Sequence, residues 1–209
     1  MIKIAHRGYN AKDNTRQAFQ NAVKYFDILE ADIHKTADDK LVLIHDDFIV
    51  DRLIEDTYLH KLLHLDPDIM TLDEFFVYFP PRKFKIYLDL KGSTEIAPLL
   101  IKYLEENQVP LENIIIASFN RKHLDILLYS GLNIKLGFIT YNTFNSAEYG
   151  SLLNSVDYLI VDTSNLNKEL IEDVAPYQVK IMVCTCNSKD MYHYICNFPV
   201  YGVVSDIII

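Results

Sequence analysis

Short apolar runs alternate with amphipathic stretches along almost the whole chain. The runs beginning at Ile2, Ile28, Phe84, Ile114, Ile134, Val156, Val179 and Tyr201 are rich in Val, Ile, Leu, Phe and Tyr and bounded by turn residues, which predicts strands. Between them, apolar residues recur at helical spacing. Ala18, Phe19, Ala22, Val23 and Phe26 mark one face of a helix over 15–25, and further helices are predicted over 94–106, 121–129, 146–153, 168–175 and 189–196. A strand followed by a helix, repeated, implies a parallel sheet, and eight such strands predict an α/β fold of the TIM (β/α)8 barrel type, compact for its class. Residues 41–45 are left over as an extra hairpin strand pairing with the second strand (28–33) across the turn Ala37-Asp38-Asp39-Lys40. Asn14 with Gln17, and Thr71 with Glu74, have the spacing of capping boxes, and Pro80-Pro81 ends the helix that Thr71 opens. Residues 51–70 form the only long connection, with a short helix expected over 58–63.

At 209 residues, with no Gly/Ser- or Pro-rich linker and no charge block, the chain reads as a single domain over 1–209. It opens directly on a strand, without the apolar stretch of a signal peptide, and no segment approaches the roughly 18 unbroken apolar residues of a membrane span. A cytoplasmic protein without stable membrane insertion is expected. The net charge of −9, unrelieved by any Lys/Arg stripe, argues against a nucleic acid partner. Cys184, Cys186 and Cys196 are odd in number and lack a second pair to complete a zinc site, so reduced thiols are expected.

The candidate chemistry gathers at strand ends. Glu30 and Asp32 are two apart on one strand and therefore share a face, with Ile28, Leu29, Ala31 and Ile33 around them. Two carboxylates on such a buried strand repel each other and lose hydration, unless a cation sits between them. The run 2–5 ends in His6-Arg7-Gly8, residues 41–45 deliver His45 followed by Asp46, and the strand ending at Leu90 carries Asp89 and then Lys91. Each histidine alone is more often a cap or a surface group. Their meeting at strand ends, where α/β barrels collect their chemistry, is what points to a site. The other histidines, His34, His60, His64, His123 and His193, lie off those ends.

The stretches IAHRGYNAKDNT (4–15), LEADIHKTADDKLVLIHD (29–46), MTLDEFF (70–76), LDLK (88–91), ASF (117–119), CTCN (184–187) and GVVSD (202–206) together resemble the glycerophosphodiester phosphodiesterase family, in the family's order and over nearly the whole length. The resemblance implies a metal-dependent barrel that hydrolyses a glycerophosphodiester, a small molecule, to glycerol 3-phosphate and an alcohol. It makes Glu30, Asp32 and Asp89 the metal ligands, His6 and His45 the acid/base pair, and Arg7 and Lys91 the phosphate grips. It also puts Phe119 against the organic part of the substrate and Asn187 at the mouth. A first shell of hard oxygens without His or Cys favours one Mg²⁺ or Ca²⁺ over zinc.

The chain departs from the family pattern at three positions, with Asp89 for a usual Glu, Asp13 for the Glu before Asn-Thr, and Cys184 for a frequent Trp. A connection at 51–70 shorter than in many members implies tolerance of several head groups. Two other readings compete. A phospholipase D-like activity on lysophospholipids would want an apolar lip, which Tyr141, Phe144 and Tyr149 could supply; a non-catalytic phosphodiester-binding barrel would read Asp89 and Asp13 as decay of the site.

Overall fold

The computed structural model describes all 209 residues. Eight parallel strands follow in chain order: β1 Ile2–Ala5, β2 Ile28–Lys35, β3 Lys85–Leu90, β4 Ile114–Ser118, β5 Lys135–Thr140, β6 Tyr158–Asp162, β7 Lys180–Cys186 and β8 Gly202–Ser205. Each pairs with its sequence neighbours, and β1 pairs with both β2 and β8, so the sheet closes on itself. Eight helices accompany them: α1 Arg16–Ala22, α2 Leu59–Leu65, α3 Leu72–Tyr78, α4 Ile96–Glu106, α5 Arg121–Leu128, α6 Ser146–Leu153, α7 Lys168–Val174 and α8 Lys189–Ile195. This is the closed barrel that the alternation of runs predicts.

Two short strands extend the sheet outside the ring. Leu41–Leu43 pairs antiparallel with the end of β2, and Met70–Thr71 pairs antiparallel with Leu41–Leu43. The hairpin strand therefore stops at Leu43, two residues short of the expected 45. His45 and Asp46 leave it as irregular backbone, which a small hairpin of Phe48–Ile49 and Arg52–Leu53 follows.

Barrel closure divides the core. Side chains that alternate inward, among them Ile4, Ile28, Tyr87, Ile115, Ile139, Tyr158, Ile160 and Met182, fill the barrel. Those that alternate outward pack under the helices, around Phe19, Phe75, Leu88 and Leu100 in the first half and Leu159, Leu170 and Val183 in the second. Burying a Leu, Ile or Phe this way is worth about 1.5–3 kcal/mol per side chain.

The capping box at Thr71 and Glu74 forms in both directions. The one expected at Asn14 and Gln17 does not: Thr15 is the N-cap of α1, accepting from the Ala18 N–H, and Asn14 takes a left-handed backbone with φ 58°. Gly8, at φ 101°, lies so near α1 that a Cβ there would come 2.4 Å from the Ala18 Cβ. The exit of β1 is thus pressed onto the first helix, which fixes where His6 and Arg7 stand.

Candidate active site

Register explains why three carboxylates meet. β2 and β3 are adjacent and parallel, with Asp32 opposite Asp89 and Glu30 opposite Tyr87, so Glu30, Asp32 and Asp89 turn to the same inner face. One carboxylate oxygen from each lies within 4.8 Å of the others, and all three residues are buried. Asp89, although a methylene shorter than the expected Glu, still reaches the group. Such crowding is costly for charge. Burial, reinforced by Asp32 and Asp89, pushes the Glu30 carboxyl well above the usual carboxylate range. Burial also raises Asp89, to about 7, against the pull of Lys91. Asp32 goes the other way: burial would raise it, but Lys91, Arg7 and the Asn14 amide outweigh that and hold it low.

The compensating groups are specific. Lys91 Nζ stands 2.6 Å from Asp89 Oδ2 and 3.1 Å from Asp32 Oδ1, bridging the two strands. Arg7 Nε is 3.0 Å from Asp32 Oδ2, but its N–H is not aimed along that line, so the contact is coulombic. The Arg7 backbone, left-handed at φ 56°, donates its N–H to Glu30 Oε2 at 2.8 Å. Asn14 grips Asp32 twice, its Nδ2 donating to Oδ2 at 3.0 Å and its Oδ1 accepting from the Asp32 N–H at 3.3 Å.

Asp89 Oδ1 remains without any donor although it is fully enclosed. A buried carboxylate oxygen with no partner, beside two more carboxylates, fits a hard divalent cation held by Glu30, Asp32 and Asp89.

Two histidines face this cluster across one cavity of about 360 Å³, lined also by Arg7, Tyr87, Lys91, Phe119, Tyr141, Cys184 and Thr185. His6 follows β1 and holds Asp206, which follows β8, at 2.6 Å from Nδ1 to Oδ1. His45 holds the adjacent Asp46 at 2.7 Å through its own Nδ1. Each imidazole is thus oriented through one nitrogen, which leaves Nε2 as the other. Asp206 is a site residue that strand-end reasoning missed. The β1–β8 pairing, with Ala5 opposite Ser205, is the signal that brings it to His6.

The rim differs in part from expectation. Phe119 and Tyr141 line the cavity with ring centroids 4.9 Å apart. Asn187 is exposed beyond the end of β7, and Thr185 lines the cavity in its stead. Of the residues proposed for an apolar lip only Tyr141 is there: Tyr149 is fully buried, and Phe144 packs edge-on against it in the outer core. Cys184 occupies an inward position at the end of β7, where burial and then Asp162 and Asp89 push its thiol up to about 12.

Two of the histidines set aside by the sequence are buried, His123 on α5 and His34 on β2, which runs two residues past the expected Ile33 and so carries His34 at its end. The His123 Nε2–H donates to the Ser93 carbonyl at 3.0 Å and its Nδ1 lies 2.9 Å from Ser118 Oγ, and His34 lies beneath His45. Burial lowers the proton affinity of both.

Fold and cavity together define a barrel enzyme with a carboxylate-centred mouth. The glycerophosphoryl diester phosphodiesterase family model matches residues 6–209. An uncharacterised protein of Mycoplasma genitalium is 30% identical over 187 residues, covering 80% of this chain and 73% of its own length. A glycerophosphodiester phosphodiesterase of Caldanaerobacter subterraneus is 27% identical, with 98% of this chain and 93% of that protein covered. Among solved structures, an Oleispira antarctica phosphodiesterase in complex with its product sn-glycerol-3-phosphate superposes with a TM-score of 0.86 at 21% identity, covering 100% of this chain and 94% of that one. The chain belongs to the glycerophosphoryl diester phosphodiesterase family and is a phosphoric diester hydrolase. No helix is long and apolar enough to cross a membrane.

Proposed function

We propose that this chain hydrolyses glycerophosphodiesters to glycerol 3-phosphate and an alcohol, using His6 and His45 as the acid/base pair and one Mg²⁺ or Ca²⁺ held by Glu30, Asp32 and Asp89. The observation that carries the reading is the single cavity shared by the three converging carboxylates and two imidazoles, each anchored through Nδ1 by its own aspartate. The structural neighbour in complex with the product sn-glycerol-3-phosphate supports the same substrate class.

A phosphodiester carries a negative charge that repels nucleophiles, and its alkoxide leaves poorly without a proton. Arg7 and Lys91 supply positive charge at the mouth, beside the carboxylates, and grip the phosphate. When bound, a divalent cation adds Lewis-acid neutralisation of the phosphoryl group. One histidine takes the proton of the nucleophile at Nε2. The other gives a proton to the leaving oxygen, and its aspartate stabilises the imidazolium before that transfer. Phe119 borders the organic part of the substrate, with Tyr141 beside it at the rim.

The lysophospholipid reading loses support from the burial of Tyr149 and the packing of Phe144, which leave no continuous apolar lip. The deciding assay compares glycerophosphocholine with a lysophosphatidylcholine at equal concentration. Release of glycerol 3-phosphate from the first, with no lysophosphatidate formed from the second, is the expected outcome. Choline release from the lysolipid alone contradicts it.

A further inference from the structure

We propose that His34 is a positioning residue that holds the backbone from which the His45 imidazole reaches the cavity; the inference rests on the acid/base reading of His45. Glu30, Asp32 and His34 occupy alternate positions of β2 and so share its inner face. Beyond Asp32 this face runs under the chain leaving the Leu41–Leu43 strand, and His34 is fully enclosed there. His34 Nε2 lies 3.4 Å from the His45 carbonyl oxygen. A carbonyl oxygen only accepts, so Nε2 carries the hydrogen in this contact. The neighbouring Ile44 N–H donates to the Asp32 carbonyl at 3.2 Å. The two contacts tie consecutive residues to β2 just where regular pairing has ended, and His45 has no other strand to fix it.

The surroundings of the ring point the same way. His34 Nδ1 is buried without a partner, so this imidazole is not kept for a fully satisfied network of its own. On that side stands Gly92, φ 71°, where a Cβ would come 3.4 Å from His34 Nδ1 and 2.6 Å from Glu55 Oε1. His34 therefore wedges between two segments, one carrying His45 and the other following Lys91. Asp47 Oδ1, at 3.8 Å from Nε2, is too far for a hydrogen bond, which leaves the His45 carbonyl as the group that Nε2 serves. The acid/base step depends on where His45 Nε2 stands, and a displacement of about 1 Å is enough to cost on the order of a hundredfold in rate.

The test compares His34→Gln, whose amide nitrogen extends about as far as Nε2, with His34→Met, which fills the space without a donor. In steady-state hydrolysis of glycerophosphocholine, His34→Met is expected to lower kcat by about tenfold to a hundredfold with KM within about twofold, and His34→Gln to recover most of kcat. If His34→Met does not fold, His34→Asn, whose amide falls short of the carbonyl, takes its place with the same expected loss. The His45 imidazole resonances in ¹⁵N-labelled protein give a readout independent of turnover: they should move in His34→Met or His34→Asn and return in His34→Gln. Unchanged kcat and unchanged His45 resonances in the donorless variant overturn the proposal, as does a His34→Gln variant that behaves like it. A wild-type protein that does not turn over the substrate, with His45 resonances still shifting as expected, refutes the hydrolase reading and leaves the positioning role intact.

Discussion

The two ends of the barrel are made of the same strands and obey opposite rules. At the end where strands start, Tyr158 is buried against Tyr201, their ring centroids 5.5 Å apart, and Lys180 Nζ lies 4.7 Å over the Tyr201 ring. The two rings and the ammonium there satisfy one another. At the end where strands finish, three buried carboxylates crowd together, one oxygen has no donor, and Arg7 and Asn14 adopt left-handed backbones. Such features cost stability, of order 1 kcal/mol or more each, and hold only because the packed remainder over-determines them. The comparison teaches that the mouth is shaped for what it must bind and the base for keeping the ring closed.

Substitutions should separate the two ends. Tyr158→Ala removes a buried aromatic from the base and is expected to cost about 3 kcal/mol of unfolding free energy, with kcat per folded molecule unchanged; denaturant titration and active-site-normalised turnover measure both. His6→Ala or His45→Ala at the mouth should do the reverse, lowering kcat by about a hundredfold or more while the thermal midpoint moves little. His193, exposed on α8, is the control, and its replacement by Ala should leave kcat within about twofold.

A smaller effect concerns protons. Burial raises the folded-state proton affinity of Asp89 to about 7 from an ordinary value near 4, so between those pH values the folded state holds more protons than the unfolded one. Chelated protein should therefore lose stability as pH rises from about 4 to about 7, the sign opposite to that of a salt-bridged carboxylate, and Glu30 adds to the same trend. Added divalent cation should offset the loss most at the alkaline end, where it need not displace a proton. Thermal midpoints across this range, with and without cation, check the sign.

Much of this was legible in the chain because the signals are local. Short apolar runs bounded by turn residues placed the strands to within a residue or two, and Glu30 with Asp32 needed only alternation on one strand. What sequence could not supply is long-range. Asp206 reaches His6 only through closure between β1 and β8, and Asn14 reads as a cap until tertiary contact with Asp32 turns it inward. Asn187 sits beyond the cavity lining, and Thr185 joins it beside Cys184 where the register of β7 is irregular between Val183 and Cys186. Tyr149 looked available for a lip, but its place on α6 faces the outer core. The burial of His123 belongs to the fold in the same way, whereas His34 continues the alternation of Glu30 and Asp32 and was missed because the strand was expected to end at Ile33.

The carboxylate cluster is the centre of the account, and chelation tests it most directly. Glycerol 3-phosphate release from glycerophosphocholine is measured in wild-type protein, after exhaustive treatment with a chelator, and after return of Mg²⁺ or Ca²⁺, with Asp89→Asn carried in parallel. Activity should vanish on chelation, return with either ion or both, and in Asp89→Asn require a higher ion concentration to reach half its maximum. Turnover that survives complete chelation unchanged would contradict the assignment of Glu30, Asp32 and Asp89 as a cation site.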